Sequence, residues 1–250
     1  MIKKIPKPFR DIIVPPARDV ISPFDERDQI LPVPVVKNIS EKFFCALNFP
    51  VLDQKNSDFC TAFATFAGFA ECLSGALRDE FRRIFTSENA FFIGSKQMNF
   101  SIMDFFRKIL RIQIRAHAGR NIRAALWNFN HGTRVKTGDL LFLGEYFRAT
   151  PESAEDLCKY LQFYGAMVGG LMLRGQNWFD ENGKYVGRGP IDGGHAILLT
   201  GFNLRKKIFY FKNSWSENWG DAGFGTIPFQ KFDDLFEVWI LKKCRFQISE

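Results

Sequence analysis

Residues 59–73 read FCTAFATFAGFAECL and place small or apolar residues on nearly every face of a helix, with Glu71 as the one charge. A helix that is apolar all round is buried on all sides, so this stretch predicts a central helix in the protein core. Asp58 precedes it and is expected to act as its N-cap. The stretch is well short of the roughly 20 apolar residues that cross a bilayer, and no membrane partner is predicted.

Helices and strands are expected in different halves of the chain. Further helices are predicted over 87–97, 101–116, 120–128 and 152–163, the last with a capping box formed by Ser153 and Asp156. Short runs rich in apolar and aromatic residues, separated by Gly and Asn, predict strands over 166–173, 195–202, 207–213, 223–229 and 236–242. Helices first and strands later indicate an α+β fold with segregated lobes.

The first 43 residues differ from the rest in composition. Seven of the 11 prolines lie before residue 35, and no helical or strand period is sustained there, so residues 1–43 are expected to form an extended arm in front of a domain at 44–250. Its apolar run ILPVPVV, at 30–36, has two possible placements. It either enters a groove near the functional site or packs on the outside of the strand lobe.

Composition favours a globular intracellular protein. Of the 250 residues, 46% are hydrophobic and 24% are charged, close to the globular average. The 29 Phe residues supply core volume without polar atoms. The N-terminus MIKKIPKPFRDIIVPP lacks the apolar segment of a secretory signal. Five scattered cysteines without a CxxC pair argue against a disulfide framework and against a zinc site, so we expect a cytoplasmic protein without a metal or other cofactor.

The net charge of +7 is concentrated in residues 101–136, which hold eight basic residues against a single Asp104. Arg107, Arg111 and Arg115 recur at helical spacing opposite an apolar face. A solvated helix face explains this pattern. Nucleic-acid binding would also use it, but no familiar recognition signature accompanies it, so nucleic acid is an unlikely partner.

Three single residues invite a chemical interpretation. Cys60 lies at the predicted N-terminus of the central helix, where the helix dipole would stabilise a thiolate. Taken alone, a cysteine in an apolar helix is more often structural. His195 equally fits a satisfied histidine at a strand end, and Asn213 fits a turn residue.

These residues occur within three longer segments. Cys60 lies in PVLDQKNSDFCTAFA (50–64), His195 in GGHAILLTGF (193–202) and Asn213 in FKNSWSENWGDAGFGTI (211–227). Together the segments resemble the papain-like cysteine peptidases, in the right order and over about residues 44 to 245. The resemblance implies two lobes with a cleft between them: a helical lobe over about 55–138 with the central buried helix, and an antiparallel, β-barrel-like lobe over about 139–245.

The resemblance also implies roles for individual residues. Cys60 would be the nucleophile, deprotonated by His195 into a thiolate and imidazolium pair that hydrolyses peptide bonds through an acyl-enzyme. Asn213 would orient the imidazole, with Trp215 covering that hydrogen bond. The Gln54 side chain and the Cys60 backbone N–H would form an oxyanion hole. Peptide or protein substrates would contact Gly119, Gly194, Trp215 and Trp219.

The sequence departs from the family pattern in places. Ser57 replaces a cysteine that is often disulfide-bonded, Asp58 and Phe59 replace small residues, and Ser216 replaces a glycine. Asp58 would oppose thiolate formation by like charge, and Phe59 would narrow the cleft. Two alternatives stay open: a catalytically inactive fold that binds peptides, and an acyl transfer onto an amine.

Overall fold

The computed structural model describes Ser22, Asp25, Glu26 and residues 28–97 and 121–249. The described residues form five α-helices and nine β-strands. The helix expected over 101–116, the expected substrate contact Gly119 and most of the basic stretch lie outside the described residues.

The central helix, α1, spans Cys60–Cys72, and every residue from Cys60 to Ala70 is buried. The predicted core helix is therefore confirmed. The expected N-cap is wrong, because Phe59 occupies the cap position and no side chain caps the helix. Phe59 is held there by close packing against Gly94 of a neighbouring helix. A Cβ added at Gly94 would lie 2.6 Å from the Phe59 ring.

Three shorter helices complete the helical lobe: α2 (Gly75–Phe81), α3 (Ser87–Gln97) and α4 (Ile122–Asn130). Helix α3 has the predicted bounds. Helix α4 starts later than predicted, at the residue after Asn121, whose side chain accepts a hydrogen bond from the Ala124 N–H at 2.8 Å. Helix α2 was not predicted, since it is a short surface helix in which Phe81 is buried and the pattern of apolar residues is weak.

Phenylalanine fills the core of this lobe. The Phe81 ring is surrounded by five others at centroid distances of 5.2–6.4 Å, those of Phe49, Phe66, Phe69, Phe85 and Phe246. Most of these pairs are tilted or edge-on, which is the arrangement that aromatic quadrupoles prefer. The high Phe content thus serves core packing.

The strands form one nine-stranded sheet. They are β1 (Ile30–Leu31), β2 (Lys42–Phe44), β3 (Thr133–Arg134), β4 (Leu140–Ala149), β5 (Met167–Arg174), β6 (Ile191–Asn203), β7 (Ile208–Lys212), β8 (Phe224–Pro228) and β9 (Leu235–Gln247). The order is β1-β4-β9-β5-β6-β7-β8, with β2 on β6 and β3 on β4. All pairs are antiparallel except β1–β4. The five predicted strands are confirmed as β5 to β9, and β1, β2, β3 and β4 are additional strands.

Residues 30–44 pack on the strand lobe. Strand β1 pairs with β4 and β2 pairs with β6. The Leu31 carbonyl accepts a hydrogen bond from the Tyr160 hydroxyl at 2.6 Å. Tyr160 lies on helix α5 (Ala154–Tyr164), where Ser153 caps the Asp156 N–H as predicted. Of the two placements considered for the apolar run 30–36, the structure shows packing against the strand lobe.

The two lobes meet along α1. Gly68 lets this helix approach β5 closely, since an added Cβ would lie 2.7 Å from Val168. A second contact joins the segment before α1 to the segment after β7, where the Gln54 N–H donates to the Ser214 carbonyl at 2.8 Å. Among the described residues, no helix is long and apolar enough to cross a bilayer.

Candidate active site

Cys60 is the first residue of α1 and is fully buried. Its Sγ lies 4.0 Å from the Thr61 hydroxyl, and the Ala196 backbone N–H in β6 acts to lower the pKa of the thiol. Because Ala196 follows His195 directly, the thiol of the helical lobe lies against the histidine segment of the strand lobe.

His195 and Asn213 form a buried pair. The His195 Nε2 lies 2.8 Å from the Asn213 Oδ1. An amide oxygen can only accept, so Nε2 carries the proton and Nδ1 is the nitrogen that can act as a base. The same oxygen accepts from the Ser214 N–H at 2.8 Å, and the Asn213 N–H donates to the Gly223 carbonyl at 2.9 Å. These bonds fix the side-chain oxygen and the backbone of Asn213, while its buried side-chain Nδ2 has no hydrogen-bond partner among the described residues.

Trp215 covers the imidazole. Its ring stacks on that of His195 with a centroid distance of 4.7 Å and an interplanar angle of 29°. Trp219 packs edge-on against Trp215 at 5.4 Å and is 6% exposed. Trp219 was expected to contact the substrate, but its burial against Trp215 indicates that it supports the Trp215 ring.

Gln54 is buried and held by two partners. Its Oε1 accepts a hydrogen bond from the Ser214 hydroxyl at 2.6 Å, and its Nε2 donates to the Ser57 carbonyl at 2.7 Å. A primary amide carries two N–H donors, so one remains for a further acceptor. Ser214 directly follows Asn213 in the sequence, and that adjacency is the signal by which its role in this site could have been noticed.

Burial favours the neutral forms of both Cys60 and His195. Desolvation raises the pKa of the Cys60 thiol to about 11, although the Ala196 N–H lowers it in part. Desolvation also lowers the pKa of His195 to about 4, against the opposing effect of the Asn213 hydrogen bond. Burial therefore favours a thiol and a neutral imidazole in the resting site, in contrast to the expected thiolate and imidazolium pair.

A buried ion pair fixes the segment that carries Asn213. The Lys212 Nζ donates to the Phe49 carbonyl at 2.7 Å and lies 3.5 Å from the Glu71 Oε1 on α1. Both side chains are almost fully buried, and burial lowers the pKa of Lys212. The contact holds the end of β7 against the central helix.

Two further residues border the site and were not predicted. Trp178, in the loop between β5 and β6, packs beside Trp215 with ring centroids 6.4 Å apart. Its Nε1 donates to the Asp192 carboxylate at 3.1 Å. Gly194, an expected substrate contact, is buried in β6 opposite Met172. Nothing in the local sequence pattern predicts the Trp178 contact, because it depends on how the loop folds back.

Comparison with known proteins gives a family match in the second half of the chain. The model of the papain family cysteine proteases matches residues 142–236, which include His195, Asn213 and Trp215. An uncharacterized peptidase C1-like protein of Acanthamoeba polyphaga mimivirus is 37% identical over 54 residues, which are 20% of this chain. That alignment spans only 17% of the viral protein.

Solved structures match over most of the chain. Xylellain, a cysteine protease from Xylella fastidiosa, has a TM-score of 0.64 and 18% identity, covering 91% of this chain and 96% of its own. Procathepsin B from Trypanosoma congolense has a TM-score of 0.64 and 13% identity, with coverage of 95% and 89%. A Carica candamarcensis cysteine protease has a TM-score of 0.57 and 14% identity, with coverage of 83% and 100%. The α+β fold is therefore the one that these proteases share.

Proposed function

We propose that this chain, which has the papain-like fold and matches the papain family over its second half, is a cysteine peptidase that hydrolyses peptide bonds. One observation carries the proposal: the buried His195–Asn213 hydrogen bond of 2.8 Å, in the strand segment whose Ala196 N–H acts on the pKa of the Cys60 thiol. The arrangement supplies a nucleophile, a base and a group that orients the base.

The reaction begins with proton transfer inside this pair. Cys60 Sγ gives its proton to His195 Nδ1, and the thiolate attacks the scissile carbonyl carbon. The imidazolium then protonates the leaving amine as the carbon–nitrogen bond breaks, which leaves an acyl-enzyme. His195 takes a proton from water, the resulting hydroxide attacks the thioester, and Cys60 is released with the carboxylate product.

Three side chains stabilise the groups that change charge during the reaction, those of Asn213, Gln54 and Trp215. Asn213 Oδ1 accepts from Nε2 and stabilises the imidazolium as it forms. The second N–H of the Gln54 amide and the Cys60 backbone N–H would hold the oxyanion. Trp215 shields the His195–Asn213 bond from water, which strengthens that bond.

The proposed substrates are peptides or proteins. Trp178 packs beside Trp215 and donates to Asp192, so these two residues are proposed to contact the substrate near His195. Gly119 and Gly194 remain proposed substrate contacts from the sequence. No cluster of His, Cys, Asp and Glu among the described residues could hold a metal ion. A cytoplasmic location also remains a proposal, supported by the scattered cysteines.

A peptide library tests the proposal directly. Wild-type protein and the Cys60→Ala variant are incubated with the library, and cleavage products are identified by mass spectrometry. We expect cleavage by the wild type alone, with a preference pattern that defines the substrate class. Absence of cleavage by a folded wild type that still binds peptides would favour the inactive peptide-binding alternative.

The pH dependence of hydrolysis follows from the two pKa values. The pair is competent while it holds one proton, which is the range between the imidazole pKa of about 4 and the thiol pKa of about 11. Below this range both groups are protonated, and no base remains to accept the thiol proton. Above it no acid remains for the leaving amine.

We therefore expect kcat/KM for a fluorogenic peptide to stay level from pH 5 to pH 9 and to fall on the acid side near pH 4. Circular dichroism at each pH serves as the control for folding. An acid limb near the ordinary histidine pKa of about 6.5 would contradict the buried neutral pair.

A further inference from the structure

Glu71 is the one charged residue of the apolar stretch 59–73, and its carboxylate takes no part in the proposed reaction. Its side chain is 5% exposed. It lies near the end of α1, about 16 Å along the helix axis from Cys60. Burying a carboxylate is unfavourable unless the group is paired and hydrogen-bonded, so the partners of Glu71 show what it holds in place.

One set of partners belongs to the segment that leads to Gln54. The Glu71 Oε2 accepts hydrogen bonds from the Asn48 backbone N–H at 3.0 Å and from the Asn48 side-chain amide at 3.3 Å. The Oε1 accepts from the Phe49 N–H at 3.3 Å. Phe49 is buried and precedes Gln54 by five residues. The carboxylate therefore fixes the start of this segment against α1.

The other partner is Lys212, which directly precedes Asn213. The Lys212 Nζ lies between the Phe49 carbonyl at 2.7 Å and the Glu71 Oε1 at 3.5 Å. Its side chain is 2% exposed, so the ammonium group has exchanged water for these two partners. The N–H of Phe49 is thus held by Glu71 and its carbonyl by Lys212.

The two segments meet again beside the candidate active site, where the Gln54 N–H donates to the Ser214 carbonyl at 2.8 Å. Glu71 lies on the helix that begins at Cys60, so its contacts join the three parts of the chain that carry the site. A shift of either segment against α1 would move the Gln54 or Asn213 amide relative to the nucleophile.

We propose that Glu71 is a positioning residue of the candidate active site. Its carboxylate sets the places of the Gln54 and Asn213 amides relative to Cys60 without touching the substrate. The inference rests on the proposed peptidase function, in which both amides act on the transition state. Misplacement of such groups by about 1 Å can slow a reaction by roughly 10²-fold, and it acts on kcat more than on KM.

Glu71→Gln tests this role, because it keeps the shape of the side chain and removes the charge. With a fluorogenic peptide we expect kcat to fall roughly 10- to 100-fold, while KM changes by less than about twofold. Gln54→Ala should cause a smaller loss in the Glu71→Gln protein than in the wild type, because both changes disturb the same oxyanion donor.

Asp139→Asn is the matched control. Asp139 is another buried carboxylate, with a side chain that is 1% exposed. Its partners in the described part of the chain lie outside both segments and are Arg83, Thr137 and the Ser249 N–H. In the Asp139→Asn protein kcat should stay near the wild-type value, and Gln54→Ala should cause its full loss.

A double variant separates position from stability. Glu71→Gln leaves the buried Lys212 cation without its carboxylate and should lower the melting temperature. Adding Lys212→Met removes that cation, so the melting temperature should recover in part while kcat stays low. Wild-type kcat in the double variant would overturn the proposal. So would losses in Glu71→Gln that add fully to those of Gln54→Ala. The double variant also serves where Glu71→Gln alone folds poorly.

A readout that needs no hydrolysis separates this inference from the proposed function. In ¹⁵N-labelled protein the His195 Nε2–H, which donates to the Asn213 Oδ1, should give a downfield proton signal. The signal should shift or disappear through exchange in Glu71→Gln and stay unchanged in Asp139→Asn. An unchanged signal in Glu71→Gln would overturn the positioning role even in an active peptidase. A shifted signal in a protein whose wild type cleaves no peptide would support the role of Glu71 and contradict the peptidase function instead.

Discussion

Replacing Cys60 by alanine should lower kcat/KM for peptide hydrolysis by on the order of 10⁵-fold or more, because no other group can form the acyl-enzyme. His195→Ala should cost a similar factor, since burial raises the pKa of the Cys60 thiol, which therefore needs a base. The two losses should not add in the double variant, because the residues act as a unit. Initial rates on a fluorogenic peptide measure all three.

The supporting residues should give smaller and graded losses. Gln54→Ala removes one oxyanion donor and should lower kcat by roughly 10²–10³-fold. Asn213→Ala should leave a measurable rate as well, since Trp215 still holds the imidazole by stacking. The acid limb of the pH profile should shift in the Asn213 variant, because its hydrogen bond raises the pKa of His195.

Cys158→Ala is the matched control, because Cys158 is also a fully buried cysteine but lies on α5 in the strand lobe. Its activity should equal that of the wild type. Near-wild-type hydrolysis by purified Cys60→Ala protein would show that Cys60 is not the nucleophile.

The parts of the fold that could be predicted are those encoded by local pattern. Helix α1 is apolar on all faces, and the five predicted strands are short apolar runs between turn residues. The His195–Asn213 contact was expected from motifs that resemble a known family. In each of these cases a short segment of sequence, either alone or through its resemblance to a family, is sufficient to predict the structure.

The parts that were missed depend on contacts between distant segments. The apolar pattern of β4 is interrupted by Gly144 and Glu145. This segment is recognisable as a strand only through its long antiparallel pairing with β9. Strands β1 and β2 are too short to show a period, and the rest of the sheet defines them. The pKa shifts of Cys60 and His195 toward their neutral forms were also not predicted, because they depend on the burial of both side chains in the folded protein.

The arm offers the clearest case of a distant contact with a large energetic consequence. Asp28 is 4% exposed and pairs with Arg123 of α4 and with Arg148 of β4. The Arg123 Nε donates to Asp28 Oδ1 at 2.7 Å, and the Arg148 Nη1 donates to Oδ2 at 3.2 Å. Both guanidinium groups also lie over the Trp239 ring, with Cζ to centroid distances of 5.8 and 5.5 Å. One carboxylate of the arm therefore connects a helix of the helical lobe to a strand of the sheet.

Asp28→Ala should lower the free energy of unfolding by about 1–3 kcal/mol, because both guanidinium groups lose the carboxylate that they share. Asp28→Asn keeps the shape and an acceptor but removes the charge, so its loss should be a large part of the alanine effect. Glu26→Ala is the control, since Glu26 is an exposed turn residue of the same arm and should change stability by less than about 0.5 kcal/mol. Urea unfolding followed by tryptophan fluorescence measures all three.

The ion pairs of Asp28 also determine how truncation of the arm should affect stability. Deleting residues 1–40 removes Asp28 and β1 together, so the melting temperature should fall, whereas an arm that only blocked the cleft would leave it unchanged. Equal unfolding midpoints for Asp28→Ala, Glu26→Ala and wild type would show that the carboxylate does not connect the lobes. A faster alkylation of Cys60 in a truncated protein of undiminished stability would instead support an arm that covers the active site.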